Sequence, residues 1–403
     1  MPHISFADKK ILLCLSGSIA CYKVADWLRN LRRDGARVKV IMTESATRFV
    51  SPLTFAALSG HKVYTDMFAR EDNEIIPHIS LARDCDLAIV APATAHTMAR
   101  LAHGMADDLL ATVILATDAP VIVCPAMNSK MFGHPATRAN METLIAYGYQ
   151  IVSPDCGTMA CGEEGPGRLA EWDKTREIML SCLTPQDLAG QNIVITAGPT
   201  REAIDPARFL SNPSTGKMGY ALAKTARMRG AEVTLISGPT SIAAPFGVKV
   251  VPVTTAEEMH RAVLAHRATA SIIVKSAAVA DFRAKSPSPQ KLKKGNIEHF
   301  LELVPNPDIL LELGELRKRE HHPAVLVGFA AESEDIVNEG FKKLKKKNLD
   351  LIAVNDINRK DSGFASDTNL LVLLDRDGER IDLPLLSKED CAHRIWDRVK
   401  KFF

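Results

Sequence analysis

The sequence predicts two α/β domains in tandem, each a parallel sheet wound with helices on its faces. Apolar runs of strand length alternate with stretches of helical period, the pattern of a doubly wound sheet. The pattern pauses between Thr184-Pro185 and Gly190 and then restarts, which divides the chain into residues 1–185 and 186–403. A length of 403 residues, at roughly 150 per domain, agrees with two units that each bury a core. Hydrophobic residues at 46% and charged residues at 24% exclude a wholly disordered, collagen-like or membrane-embedded chain.

In the first half, residues 9–17 (KKILLCLSG) read as a buried strand. Residues 18–33 follow as a helix, with Ile19, Tyr22, Val24, Leu28 and Leu31 on or near one face. Strands are expected at 36–43, 86–94 and 119–128, then a helix at 135–147 and a short strand near 149–153. In the second half, residues 191–200 form a strand, a loop containing Pro, Ser and Asn runs to Thr215, and a helix spans 216–230. Further strands are expected at 231–239, 248–253, 268–277, 324–332 and 349–356. An Asp-Gly turn within LLVLLDRDGERIDLPL signals a hairpin, and residues 388–401 form a closing helix.

The formal net charge is only +2, and aromatic residues make up 5%, so neither global nucleic-acid attraction nor base stacking is indicated. Most of the eight cysteines sit singly in apolar runs, the usage of reduced, buried thiols rather than of a disulfide framework. Cys156 and Cys161 lack a second Cys or His pair that would complete a zinc site. Lys9-Lys10 before ILLCL imitates a signal peptide, but Ser16-Gly17-Ser18 breaks the apolar core too early. A cytoplasmic protein is expected. The first 185 residues carry 18 basic and 20 acidic side chains, the remainder 32 and 28. The basic excess clusters at Lys285, Lys291, Lys293 and Lys294, and at Lys342, Lys343, Lys345, Lys346 and Lys347, near strand ends where α/β sheets bind ligands. Solvated helix faces compete there with a polyphosphate site.

Ser16-Gly17-Ser18-Ile19 joins the first strand to the first helix, where small residues and free N–H groups suit a phosphate. The G-x-G-x-x-G fingerprint is absent, so a mononucleotide fits better than a dinucleotide. His78 is read in a loop before the third strand, Asn128 ends Pro125-Ala126-Met127-Asn128 beyond the fourth, and Cys161 sits in the glycine-dense flap ACGEEGPGR. A thiol on such a flap suits proton or redox chemistry.

GSIACYK, the His of PHISL, PAMN and ACGEEGPGR, in that order, resemble the phosphopantothenoylcysteine decarboxylase family of flavoproteins. The resemblance implies a flavodoxin-like, Rossmann-type domain, a trimeric unit, and FMN held by Gly17, Ser18, Ile19, Thr43, Ser45, Pro92 and Thr94. It also implies that His78 is the base of an oxidative step, that Asn128 holds the substrate carboxylate and that Cys161 protonates the enethiol. Oxidising the thiol to a thioaldehyde gives the departing CO2 an electron sink that a plain cysteine carboxylate lacks. His96 stands where the family usually has Asn.

In the second half, Ser214-Thr215-Gly216-Lys217 imitates a P-loop, but Ser211 replaces its first glycine and Met218 its Ser/Thr. TAGPTREAIDPARFLSNPSTGKMG, AAVADFR, KLKK, NPD, GFAAE and KNLD together resemble the phosphopantothenate–cysteine ligase family. That resemblance implies a Rossmann-like ligase domain using CTP and Mg2+ to form an acyl-cytidylate, which the cysteine amine attacks. Lys291 would stabilise the transition state, and Asn212, with Arg208 nearby, would bind the acyl-cytidylate. Ala277, Asp281, Lys291, Asn306, Pro307, Asp308, Phe329, Lys343 and Lys347 would line the CTP site, with Asp281 a candidate magnesium ligand. Pro305 stands where the family commonly has Lys. The family ligase is dimeric, so trimeric and dimeric halves allow a dodecamer. The two resemblances imply a fused bifunctional enzyme of coenzyme A biosynthesis, with small-molecule substrates and neither nucleic acid nor membrane as partner. A non-catalytic flavin-binding regulator and an unrelated flavin reductase are the alternatives. The joint presence of His78, Asn128 and Cys161 argues against the first, and the second leaves the later motifs unexplained.

Overall fold

The computed structural model describes residues 5–68, 76–160, 162–292, 301–332, 335–356 and 366–403. The chain forms two compact units that divide between Thr184 and Pro185.

In the first unit, six strands form a parallel sheet: β1 (Lys10–Leu15), β2 (Arg37–Met42), β3 (Val63–Tyr64), β4 (Leu87–Ala93), β5 (Val121–Pro125) and β6 (Gln150–Ile151). Their order is β3-β2-β1-β4-β5-β6, the doubly wound Rossmann order. Without the two-residue edge strand β3 it is the flavodoxin order. Every residue of β4 and β5 is buried, as expected of strands covered on both faces. Helix α1 (Cys21–Arg33) buries Cys21, Val24, Trp27, Leu28 and Leu31. Ile19 and Tyr22, expected on that face, are 57% and 60% exposed. The helix starts only at Cys21, and the stripe through Val24, Leu28 and Leu31 picks up Cys21 and Trp27 instead. Five more helices matter for position here: α2 (Glu44–Thr47), α3 (Pro52–Ser59), α4 (Pro77–Arg83), α5 (Ala95–Ala102) and α6 (Leu109–Ala116). His78 lies in α4, not in a loop, because Pro77 opens the helix at its first position. The glycine-dense segment is an antiparallel hairpin of β7 (Asp155–Thr158) and β8 (Glu164–Arg168).

In the second unit, the strands are β9 (Asn192–Ala197), β10 (Arg201–Asp205), β11 (Arg208–Ser211), β12 (Glu232–Ser237), β13 (Lys249–Pro252), β14 (Ile272–Lys275), β15 (Phe282–Ala284), β16 (Leu303–Pro305), β17 (Val325–Glu332), β18 (Leu351–Asp356), β19 (Thr368–Asn369), β20 (Leu371–Asp375), β21 (Arg380–Asp382) and β22 (Leu386–Ser387). Eight of them form one sheet in the order β13-β12-β9-β14-β17-β18-β20-β21. It is parallel through β18, and β20 and β21 add the expected antiparallel hairpin. The strand order reverses between β9 and β14, the place where open α/β sheets bind ligands. The loop expected up to Thr215 contains the hairpin β10–β11 instead. Its inward positions carry carboxylates rather than apolar side chains, which hides the strand period. Glu202 accepts the Ala256 N–H at 2.9 Å, and Asp205 accepts those of Ala207 and Arg208 at 2.8 Å.

After α7 (Ser129–Gly133), α8 (Pro135–Ala146) and α9 (Trp172–Leu183) of the first unit, the second adds α10 (Lys217–Met228), α11 (Ala256–Arg267), α12 (Ile309–Glu320), α13 (Ile336–Lys346) and α14 (Lys388–Val399). Helices α10 and α14 pack on one face of the sheet, where the Trp396 indole N–H donates to Thr225 Oγ1 at 3.0 Å. Helices α11, α12 and α13 cover the other face. No helix among the described residues is long and apolar enough to cross a membrane.

Candidate active sites

In the first unit, the residues expected at a flavin come together at the C-terminal ends of β1, β2 and β4. The buried Ser16 hydroxyl donates to the Pro92 carbonyl at 2.7 Å and accepts the Thr94 N–H at 2.9 Å, tying the first turn to the end of β4. The Thr43 N–H donates to the Leu15 carbonyl at 3.0 Å, bringing in the β2 loop. A Cβ on Gly17 would stand 2.5 Å from the Cβ of Ser45, so only glycine allows this close approach. Ser18 and Ile19 complete the turn, and Ile19 faces solvent. Thr94 caps α5, and its neighbour His96 is exposed. Small residues, hydroxyls and a tightly fixed backbone make an uncharged cradle that fits a phosphate-bearing mononucleotide.

Asn128 follows β5 and caps the short α7, its side-chain oxygen accepting the Lys130 N–H at 2.8 Å. Its amide donates to Glu163 at 2.7 Å, which joins it to the tip of the β7–β8 hairpin. That bond, with Lys130 at 3.3 Å, holds the Glu163 carboxyl below the usual range. The hairpin returns tightly along α7: the Met127 N–H donates to the Gly167 carbonyl at 3.0 Å, and a Cβ on Gly167 would lie 2.1 Å from the Met127 oxygen. Cys161 lies outside the described residues. His78 Nδ1 is buried without a hydrogen-bond partner, a donor or acceptor still to be satisfied. By contrast, burial pushes the Cys14 and Cys124 thiols far up, the environment of inert structural cysteines.

In the second unit, a cavity of about 400 Å3 opens at the strand-order reversal. Eight of the nine residues expected at a nucleotide line it: Ala277, Asp281, Asn306, Pro307, Asp308, Phe329, Lys343 and Lys347. Asn212 lines it too, its amide donating to the Val279 carbonyl at 3.1 Å. The Asn306 amide donates to Ala280 at 2.8 Å, and Asp308 caps α12. Burial works against the Asp308 charge, but Lys347 at 2.9 Å and the helix amides hold its pKa below the usual range. Asp281 forms no ion pair among the described residues. No group of three His, Cys, Asp or Glu side chains that could hold a metal converges among them.

Two expected residues do not line this cavity. Lys291 is exposed. Arg208 is committed to Asp205 at 2.5 Å, which holds that buried carboxyl at a pKa of about 2. The same pair grips the chain beside Lys291, since Leu292 donates its N–H to Asp205 at 3.2 Å and its carbonyl accepts from Arg208 at 3.0 Å.

Other lining residues escaped the sequence reading: Lys217, Lys275, Asn355, Asn369 and Lys388. The side-chain oxygens of Asn355 and Asn369 are buried without hydrogen-bond partners, so the wall presents acceptors to a ligand's N–H or O–H groups. Burial, with Lys217 nearby, lowers the Lys388 pKa to about 8. Gly216, at φ 83°, starts α10 in the left-handed region, and a Cβ there would sit 3.3 Å from Gly198.

Comparison with known proteins follows the same division. A family described as "Flavoprotein" matches residues 5–183, and "DNA/pantothenate metabolism flavoprotein C-terminal domain" matches residues 188–403. The coenzyme A biosynthesis bifunctional protein CoaBC of Bacillus subtilis (strain 168) is 48% identical over 396 residues, 97% of each chain. The chain belongs to the CoaBC family. The CoaBC of Escherichia coli (strain K12) is 45% identical over 400 residues, 98% of each chain. A crystal structure of the C-terminal domain of a CoaBC is 40% identical, covering 54% of this chain and 97% of its own with a TM-score of 0.46.

Proposed function

We propose that the second unit joins cysteine to 4′-phosphopantothenate at the expense of CTP, and that the first decarboxylates the product to 4′-phosphopantetheine with FMN. Membership of the CoaBC family makes the chain a bifunctional coenzyme A biosynthesis enzyme with decarboxylase and ligase activities. The support for this division of labour is the convergence of eight expected nucleotide residues and Asn212 on one lysine-rich cavity.

In the ligase reaction the carboxylate attacks the α-phosphate of CTP, and pyrophosphate leaves. Lys343 and Lys347 would offset the triphosphate charge, and Asn212 would orient the acyl-cytidylate. Asn355 and Asn369 would accept from ligand hydroxyl or amine groups. Magnesium would be held chiefly by the triphosphate, with Asp281 the wall carboxylate left for it. Lys291 and Arg208 keep the roles the resemblance implies.

In the first unit, Gly17, Ser18, Ile19, Thr43, Ser45, Pro92 and Thr94 would hold FMN. Bound flavin supplies a two-electron redox couple. His78 would take the proton released on thiol oxidation, its orphaned Nδ1 fitting an unmet hydrogen bond. Asn128, braced by Glu163, would orient the departing carboxylate, and Cys161 would return a proton to the enethiol. Trimeric first units and dimeric second units in a cytoplasmic assembly complete the reading.

The test incubates protein, CTP, Mg2+, 4′-phosphopantothenate and cysteine, with mass detection of both products. CTP-dependent pyrophosphate release and 4′-phosphopantetheine are expected. A colourless protein that cannot be reconstituted with FMN overturns the first assignment, and no CTP-dependent pyrophosphate overturns the second.

A further inference from the structure

Lys275 is the last residue of β14, beside β9 at the strand-order reversal, and it is only 7% exposed. Its side chain lines the nucleotide cavity on the face of β14 covered by α11 and α12. There the amine meets the Met259 sulfur of α11 at 3.6 Å, a weak acceptor. Its register neighbours, Thr196 on β9 and Gly328 on β17, are uncharged. The charged groups facing it are Asp308 at the start of α12 and Lys347 at the end of α13, and these are bonded to each other at 2.9 Å. Of the other cavity lysines, Lys343 is held by Glu332, and Lys217 by Asp367 at 2.6 Å. Lys275 has no ion pair among the described residues. A buried ammonium without a counter-ion sheds its proton, and here burial lowers the pKa to about 7.

An incoming anion changes that balance, because opposite charge at close range favours the protonated amine. We propose that Lys275, a buried cavity amine with no counter-ion of its own among the described residues, is a proton-coupled anion receptor that takes up a proton when the polyphosphate of a nucleotide enters the cavity. This rests on the nucleotide reading of the cavity given above. The coupling makes nucleotide affinity fall as pH rises through the range in which the free amine loses its proton. A permanently charged or permanently neutral side chain at this position removes the part of that dependence that Lys275 supplies.

Calorimetric titration of CTP with Mg2+, without 4′-phosphopantothenate, tests this in two buffers of different ionisation enthalpy. At pH 8 a terminal phosphate, with its second pKa near 6, is already ionised and contributes little. The wild type takes up roughly half to one proton more per CTP than either Lys275→Arg or Lys275→Met. Other titrating groups, Lys388 among them, contribute alike to all three proteins and cancel in the difference. Between pH 8 and pH 9 the wild-type Kd rises more steeply than that of Lys275→Arg, by roughly tenfold per pH unit, the margin that the extra proton sets. Equal proton uptake in all three proteins, or a wild-type Kd independent of pH from 7 to 9, overturns the role of Lys275 while leaving the nucleotide site standing. Failure of the wild type to bind CTP overturns the nucleotide reading and this proposal with it.

Discussion

Both candidate sites sit where strand order reverses in a parallel sheet, yet they are built from opposite materials. The cradle of the first unit is nearly uncharged: Gly17, the Ser16 and Thr94 hydroxyls, and backbone groups fixed by short hydrogen bonds. The cavity of the second is lined by Lys217, Lys275, Lys343, Lys347 and Lys388. One topology supplies the opening, and the residues at the strand ends decide the chemistry. A bound flavin stays and turns over as a redox group, so a tight, shape-defined seat suits it. The triphosphate proposed for the second site would enter, shed pyrophosphate and leave, and balanced mobile charge suits that.

That contrast is tested first by separating the two activities. Cys161→Ser should lower formation of 4′-phosphopantetheine at least a thousandfold and leave a stalled aminoenethiol, with CTP-dependent pyrophosphate release within twofold of wild type. Normal product formation removes Cys161 from the reaction. Gly17→Val should deplete bound flavin about tenfold or more, because its Cβ alone would stand 2.5 Å from that of Ser45. The absorbance ratio of flavin to protein reports this, and unchanged flavin content shows that the cradle is not the seat. Lys347→Ala should raise the KM for CTP roughly tenfold, since Asp308 then faces the triphosphate unpaired. Flavin content should not move, and a variant with wild-type KM takes Lys347 out of the nucleotide site.

The two sites also differed in how legible they were. Strands β1, β4, β5 and β9 read directly from nearly continuous apolar runs, since burial on both faces leaves few polar positions. The hairpin β10–β11 did not, because Glu202 and Asp205 turn inward and find backbone donors there. The helix around His78 was hidden by its brevity and by the proline that opens it. The residues proposed for the nucleotide were legible as motifs, but Asn355, Asn369 and Lys388 reach the cavity from distant strand ends and a helix start. Lys275 left a faint signal: a lone charge closing the apolar run Ile272-Ile273-Val274, at the strand end that α/β sheets turn toward ligands.

The smallest expected effect concerns what the lysine-rich design does to stability. In the free protein Lys275 titrates near pH 7, against roughly 10.4 in an unfolded chain. Between those values the unfolded state binds more protons than the folded state, so stability rises with pH across that window. The penalty is fully present below pH 7 and fades as the pH approaches about 10.4. Lys275→Met keeps the apolar length of the side chain and removes the group that titrates. It should raise the Tm of the second unit at pH 7, with the gain vanishing near pH 10.4. Gly17→Val should show no such pH-dependent gain, since the flavin cradle buries no unpaired charge. Equal Tm for wild type and Lys275→Met at pH 7 would mean that the folded chain carries this ammonium without strain, and the two sites would then differ in charge but not in the stability they sacrifice for function.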